Sequence, residues 1–368
     1  MAYDLDVKAF WKENEACLKP FSTDKPRVPL SFWLDDHFIL EEMSLPSTVR
    51  YFSDFAYRRE INKLCNDKVE KVLGKRFYSE EETEAPSPVR FEVIMGAKWR
   101  ITEGGTPWLD SEVEDIEDAK KLIGRAAKLD MKKEAFPVGW QELKERYEKL
   151  SGKKLRLGGD GSRGPATMAT SILGTINTCM FIMDEPDVMK EFFSILADKL
   201  VEYHRVLMAD TSNDKDGGYS LADDNCYLFP PDTYLKFCAP VLEKLFKEFA
   251  PLPRHARFQH SDSDMGHLMG ILNDLGVNGV NFGPKLHPAE IRKAMPKAVI
   301  NGQMPPFTLR NGTPEDIINT VRRDIEAAGS DGGLEECPAG SVTGGTPLEN
   351  LKIYMWAVQT YGRYRASA

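Results

Sequence analysis

Residues 254–283 read RHARFQHSDSDMGHLMGILNDLGVNGVNFG, and their rhythm decides the fold. A short apolar run ends in Gln259-His260-Ser261-Asp262, a helical stretch follows, and a second run, GVNGVNFG, opens at residue 276. Both runs are too short for helices and are bounded by turn residues, so the unit reads strand–helix–strand. The alternation recurs on either side, at GGYSLADD (217–224), KAVINGQM (297–304) and GGLEECP (332–338). Upstream, RVPLSFWL (27–34), SPVRFEVI (87–94) and KKLRLGGD (153–160) complete eight predicted strands. The helices between them carry start signals. Thr313-Pro314-Glu315-Asp316 and Thr346-Pro347-Leu348-Glu349 each place a capping hydroxyl before proline and an acid at the third position, and Pro186 and Pro288 read as first-turn prolines. Alternating strands and helices with short connections predict an α/β fold, a single (β/α)8 TIM barrel over residues 1–368. Residues 1–26 form an N-terminal helical extension in this reading, and the stretch near 97–150 is an insertion with helices and no clear strand. A doubly wound open sheet is the alternative.

The 368 residues suit one such barrel with insertions. A chain with 42% apolar and 29% charged residues is an ordinary globular one, not a disordered or fibrous one. Its 48 Lys and Arg against 57 Asp and Glu leave a net charge of −9. An acidic surface has no general attraction for phosphate backbones or anionic lipid, so nucleic acid and membranes are not expected partners. MAYDLDVKAF lacks the basic and apolar regions of a signal peptide, so a cytoplasmic location is expected. Six cysteines (Cys17, Cys65, Cys179, Cys226, Cys238, Cys337) are far apart with no C-x-x-C spacing, which predicts thiols rather than a disulfide framework. Nothing in the sequence sets the oligomeric state.

In a parallel barrel the chemistry gathers where strands end. The first predicted strand ends in Trp33-Leu34-Asp35-Asp36-His37, the fourth in Asp223-Asp224-Asn225-Cys226 and the fifth in Gln259-His260-Ser261-Asp262. The seventh supplies Asn301 and Gln303, the eighth Glu335-Glu336-Cys337. Four of six histidines lie in the fifth and sixth units. His287, before Pro288, reads as a helix cap, and His255 and His267 read as structural. His260 is the functional candidate, because Asp262 two residues on faces the same side of an extended segment, where imidazole and carboxylate can share a proton or a hard metal ion. Gly159-Asp160-Gly161-Ser162-Arg163-Gly164 matches G-x-G-x-x-G, but Pro165 follows and no acid ends a strand about twenty residues later, so a dinucleotide site is not expected. The motif reads instead as a flexible loop whose N–H groups and Arg163 meet an anionic substrate.

Several ordered stretches resemble the uroporphyrinogen decarboxylase superfamily. These are LADDNCYLFPPDTYLKFCAPVLEKLF, HSDSDMGHLMGILNDLGVNGVNFGP, INGQMPPFTLRNGTPEDIINTVRRDIEAAG, GTPLENLKIYMWAVQTYGRY and, more faintly, DKPRVPLSFW. The resemblance covers about residues 24–34 and 154–364 and implies a (β/α)8 barrel. It also implies one of two chemistries, cofactor-free decarboxylation of uroporphyrinogen or methyl exchange with cobalamin on a separate corrinoid protein. The decarboxylases hold their substrate's propionates with an N-terminal arginine-rich signature, whereas here the stretch is LDDHFILEEM, which would repel them. Zinc methyltransferases of the superfamily carry His-x-Cys after the fifth strand and a later cysteine. Here the first two positions are His260 and Asp262, the third falls at Gly340, and Cys337 lies three residues away. Thiolates suit a zinc ion that activates a thiol, so this departure points elsewhere.

The leading expectation is transfer of a methyl group from a small methoxylated aromatic compound to cob(I)alamin on a partner corrinoid protein. A proton or a hard Lewis acid on the ether oxygen would stabilise the departing phenolate. Catalysis then falls to His260, Asp262, Asp223, Asp224 and Glu335, and substrate binding to Trp33, Asp36, His37, Tyr219, Arg163, Asn301 and Gln303. The metal candidates are His260, Asp262, Glu336 and Cys337, with zinc as the candidate ion, and the same groups can act as proton donors with no metal. Phe32, Phe38, Phe282 and Phe307, with Trp33 and Tyr219, either stack on an aromatic ring or pack the core. The alternatives are a methylcobalamin:thiol or folate methyltransferase, a uroporphyrinogen decarboxylase and a non-catalytic binding barrel.

Overall fold

The computed structural model describes residues 3–157, 161–211 and 217–364. It opens with a helix, Val7–Cys17, whose first turn is capped by the Asp6 carboxylate. Arg27, fully buried, ties this helix to the following segment through Glu13, Asn14 and the Phe10 carbonyl. The insertion contains helices Ile116–Ala126, Met131–Glu134 and Trp140–Ser151, as its periodicity suggests. It also holds an antiparallel hairpin absent from the sequence reading, β1 (Lys98–Arg100) and β2 (Trp108–Asp110).

The centre is a six-stranded parallel sheet whose spatial order follows the chain: β3 (Gly161–Arg163), β4 (Tyr219–Ala222), β5 (Arg257–Ser261), β6 (Gly279–Phe282), β7 (Val299–Asn301) and β8 (Leu334–Glu335). Residues 29–34 continue it beyond β8, through parallel bridges Leu30–Glu336 and Leu34–Val342. Sequential parallel order with a helix in each crossover is the plan of a TIM-barrel-type α/β fold. The sheet is rolled. Trp33, past one edge, lies 6.2 Å ring to ring from His260 in the middle of the sheet.

Two strands depart from expectation. SPVRFEVI is not a strand: Phe91–Met95 is a helix closed by Gly96, and its buried Phe91, Ile94 and Met95 keep helical spacing. β-Branched residues invited the strand reading, but the period decides. The third strand starts later than expected, at Gly161. Within the glycine motif Gly161–Arg163 are therefore strand rather than loop and Gly164 is the N-cap of helix Pro165–Leu173, while Gly159 and Asp160 lie outside the described residues.

Helix starts follow the sequence closely. Thr313 and Asp316 form a reciprocal capping box before helix Pro314–Ala328, and His287 caps helix Pro288–Ala294 as expected. Thr346 does not cap helix Leu348–Tyr361, since its hydroxyl donates to the Thr343 carbonyl instead. All six cysteines are free and five are buried. Among the described residues no single helix is long and apolar enough to cross a membrane.

Candidate functional site

Asp224 opens the turn after β4, His260 is the fourth residue of β5, and Asp262 follows that strand's end. Parallel pairing of β4 with β5 places Ala222 beside His260, which brings the two strand ends together. His260 Nε2 lies 3.3 Å from Asp262 Oδ1 and 3.8 Å from Asp224 Oδ1, and the Asp262 N–H donates to Asp224 Oδ1 at 2.9 Å. One nitrogen and two oxygens thus fall within 4.8 Å of one another. The His260 side chain is 21% exposed, while those of Asp224 and Asp262 are 46% and 59% exposed, so the group opens outward. Burial pulls the His260 value down, but the Asp262 hydrogen bond and the charges of Asp262 and Asp224 outweigh it and hold the imidazole above its ordinary 6.5.

Asp224 also borders a cleft of about 370 Å³ lined by Arg163, Thr167, Thr170, Ser171, Asn225 and Trp108 among others. Arg163 donates to Ser171 Oγ at 3.0 Å and lies 3.7 Å from Glu92. Asn225 is fixed by Thr167 and Thr170, which binds the cleft wall to helix Pro165–Leu173. Trp108 reaches this cleft only through the hairpin, and Thr167, Thr170 and Ser171 through helix Pro165–Leu173, placements that sequence spacing does not signal.

Asp223, next to Asp224, is fully buried and turned away. Its Oδ1 accepts from the Thr167 N–H at 2.8 Å, and burial raises its carboxyl to about 7. It packs so closely on Gly164 that any β-carbon there would come within 2.2 Å of the carboxyl carbon. The catalytic place its sequence position suggested is therefore corrected: the chain turns as β4 ends at Ala222, and the turn seats Asp223 inside and Asp224 at the mouth.

Other expected residues are also placed elsewhere. Tyr219 is core, its ring stacked on Phe249 and its hydroxyl bonded to Ser162. Gln303 is fully buried and donates to the carbonyls of Gly283 and Leu286. Glu336 lies among the outer helices, accepting from the Tyr354 hydroxyl at 2.9 Å, and buried Cys337 is not in the three-residue cluster. Asn301 and Glu335 line a different cavity, of about 850 Å³, together with Arg257, Gly279 and Val299, the first residues of β5, β6 and β7. Strands tilt against the axis, so a row of paired residues descends around the sheet and carries these two toward the opposite end. Asp36 and His37 are exposed on helix Asp36–Glu42, outside the cluster. Trp33 remains at the mouth, 44% exposed, whereas Phe32, Phe38 and Phe282 are core and Phe307 is a surface residue.

The donor set fits a metal in kind: three protein ligands of nitrogen and oxygen leave positions open on a hard or borderline divalent cation such as zinc. It contains no sulfur. Gly340, where the resemblance places a third thiolate, faces Asp262 so closely that a β-carbon would lie 2.7 Å from Oδ1.

No curated protein matches this chain in sequence. Among solved structures, a methyltransferase from Methanosarcina mazei is similar over 97% of this chain and 99% of its own, at 17% identity and a TM-score of 0.61. A B12-independent methionine synthase from Shewanella sp. W3-18-1 overlaps 83% of this chain and 86% of its own, at 12% identity and a TM-score of 0.36. The family model for uroporphyrinogen decarboxylase (URO-D) matches residues 91–361, which take in β3 to β8 with Asp224, His260 and Asp262, and the chain belongs to that family.

Proposed function

We propose that this member of the URO-D family is a methyltransferase that removes the methyl group of a small methoxylated aromatic compound and passes it to cob(I)alamin on a partner corrinoid protein. The observation that carries this reading is the convergence of His260, Asp262 and Asp224 at an open mouth beside a cleft of about 370 Å³. Aryl ether cleavage fails mainly because phenolate is a poor leaving group. The corrinoid supplies the nucleophile for the methyl carbon. His260 is the group placed to supply the proton: Asp262 and Asp224 beside Nε2 favour its protonated form, in which Nε2 carries the proton that can be delivered at the mouth. Asp262 and Asp224 stabilise that cation and hold its orientation. A divalent cation held by the same three atoms would supply Lewis acidity to the ether oxygen instead. Trp33 offers an aromatic edge beside His260, and Arg163 offers a cation to a carboxylated ring.

Two other readings fit less well. A thiol-activating site would use thiolate ligands, and the cluster has none. Uroporphyrinogen carries eight carboxylates, which would face Asp224 and Asp262 with a single arginine, Arg163, among the described residues lining the cleft. Incubation with cob(I)alamin and a panel of methoxybenzoates, followed by absorbance of the corrinoid, tests the proposal. Methylation with at least one panel member is expected. A folded protein inert across the panel would sink it.

A further inference from the structure

Asn281 lies in β6, every residue of which is buried, and it is paired in register with His260 on β5. Its side chain is 1% exposed. Its Nδ2 donates to two backbone carbonyls, those of Asn301 and Pro338. Carbonyl oxygens only accept, so the amide nitrogen must face them and the amide oxygen must face the other way. That oxygen is 2.8 Å from His260 Nδ1. An amide oxygen also only accepts, so Nδ1 carries a proton.

We infer that Asn281 is a positioning residue that locks neutral His260 with its proton on Nδ1, leaving the Nε2 lone pair aimed at the mouth between Asp224 and Asp262. This inference rests on the reading of His260 as the working group of the site. Two acceptors compete for the ring's proton, and their surroundings decide between them. Asp262 is more than half exposed and turns to water at little cost, whereas the buried Asn281 oxygen would otherwise meet a ring lone pair with no substitute partner. Nε2 is then the atom that receives a proton from solvent, delivers one to a leaving group or ligates a cation, and Nδ1 takes no part. Partners of this kind, set behind a working histidine, typically govern ligand affinity or activity by about 10–100-fold.

The test is nitrogen-15 NMR of the labelled full-length chain at a pH above the titration of His260, with the resonance assigned by its loss in His260→Gln. The expected spectrum has a protonated Nδ1 and an unprotonated Nε2. A proton on Nε2 in the wild-type protein overturns the inference, and this measurement requires neither a variant nor a substrate. In Asn281→Leu the proton is expected to move to Nε2, with methyl transfer slowed about 10–100-fold. A folded Asn281→Leu protein whose tautomer is unchanged also overturns it. Failure of the methyl-transfer assay in the wild type would leave the spectrum, and so this inference, standing or falling on its own.

Discussion

Consecutive acids stand where two strands finish, Asp223-Asp224 directly after β4 and Glu335-Glu336 across the end of β8, and their fates differ instructively. In each doublet one member is sealed from solvent and the other is not. Asp223 is buried against a helix N-terminus, and Glu336 against Tyr354 beside Asp324. The remaining members diverge. Asp224 meets His260 and Asp262 at the mouth, while Glu335 looks into the cavity at the other end, with Ser31 and Lys25 as its nearest polar company. A strand-end acid becomes part of a site through the groups that the neighbouring strand brings to it, not through its position alone.

The sharpest way to break this contrast is to remove what makes Asp224 different. His260→Ala should lower methyl transfer by roughly 100- to 10,000-fold, the range of a positioned acid or base, while stability falls far less, by no more than the about 1–3 kcal/mol of leaving the buried Asn281 oxygen without its partner. A parallel loss of stability and activity would make His260 structural and the two doublets alike. Within the β4 doublet, Asp224→Ala should reduce activity with little change in stability. Asp223→Ala should do the reverse, costing about 1–3 kcal/mol as the buried Thr167 N–H loses its acceptor. Denaturant unfolding of both variants decides this, and an exchange of the two phenotypes would refute the assignment.

The β8 doublet should respond more quietly. Glu335→Ala is expected to leave methyl transfer unchanged. Burial, and next the Asp324 charge, raise Glu336 well above its ordinary 4.5, so the folded protein holds that proton more tightly than the unfolded chain does. Stability from this group is greatest below about 4.5 and declines as pH rises toward the folded value. Glu336→Gln should therefore raise the melting temperature at pH 8 and leave it unchanged at pH 4. Thermal melts at the two pH values check this, and a variant less stable at both would show that the carboxyl works ionised.

The parallel sheet was legible because its strands are short apolar runs between well-capped helices, and Thr313 and His287 cap where their spacing says they should. SPVRFEVI misled because β-branched composition masked a helical period of buried residues. Within the site, His260 and Asp262 were readable as a pair on one side of a strand. Glu335 and Asn301 were not, because sequence marks the end of a strand but not the tilt that decides which opening it serves. Asn281 left a faint trace, an amide between Val280 and Phe282 in a strand with no polar face. A buried polar side chain of this kind calls for partners, and those partners lie in β5, in β7 and after β8.

The seating of Asp223 settles how the glycine motif is used. A phosphate bound there would need the free N–H groups at the start of helix Pro165–Leu173, yet the protein's own carboxylate already claims Thr167. Gly164 is small to make room for that internal carboxyl rather than for a nucleotide. One of the chain's own side chains thus fills its most phosphate-like corner.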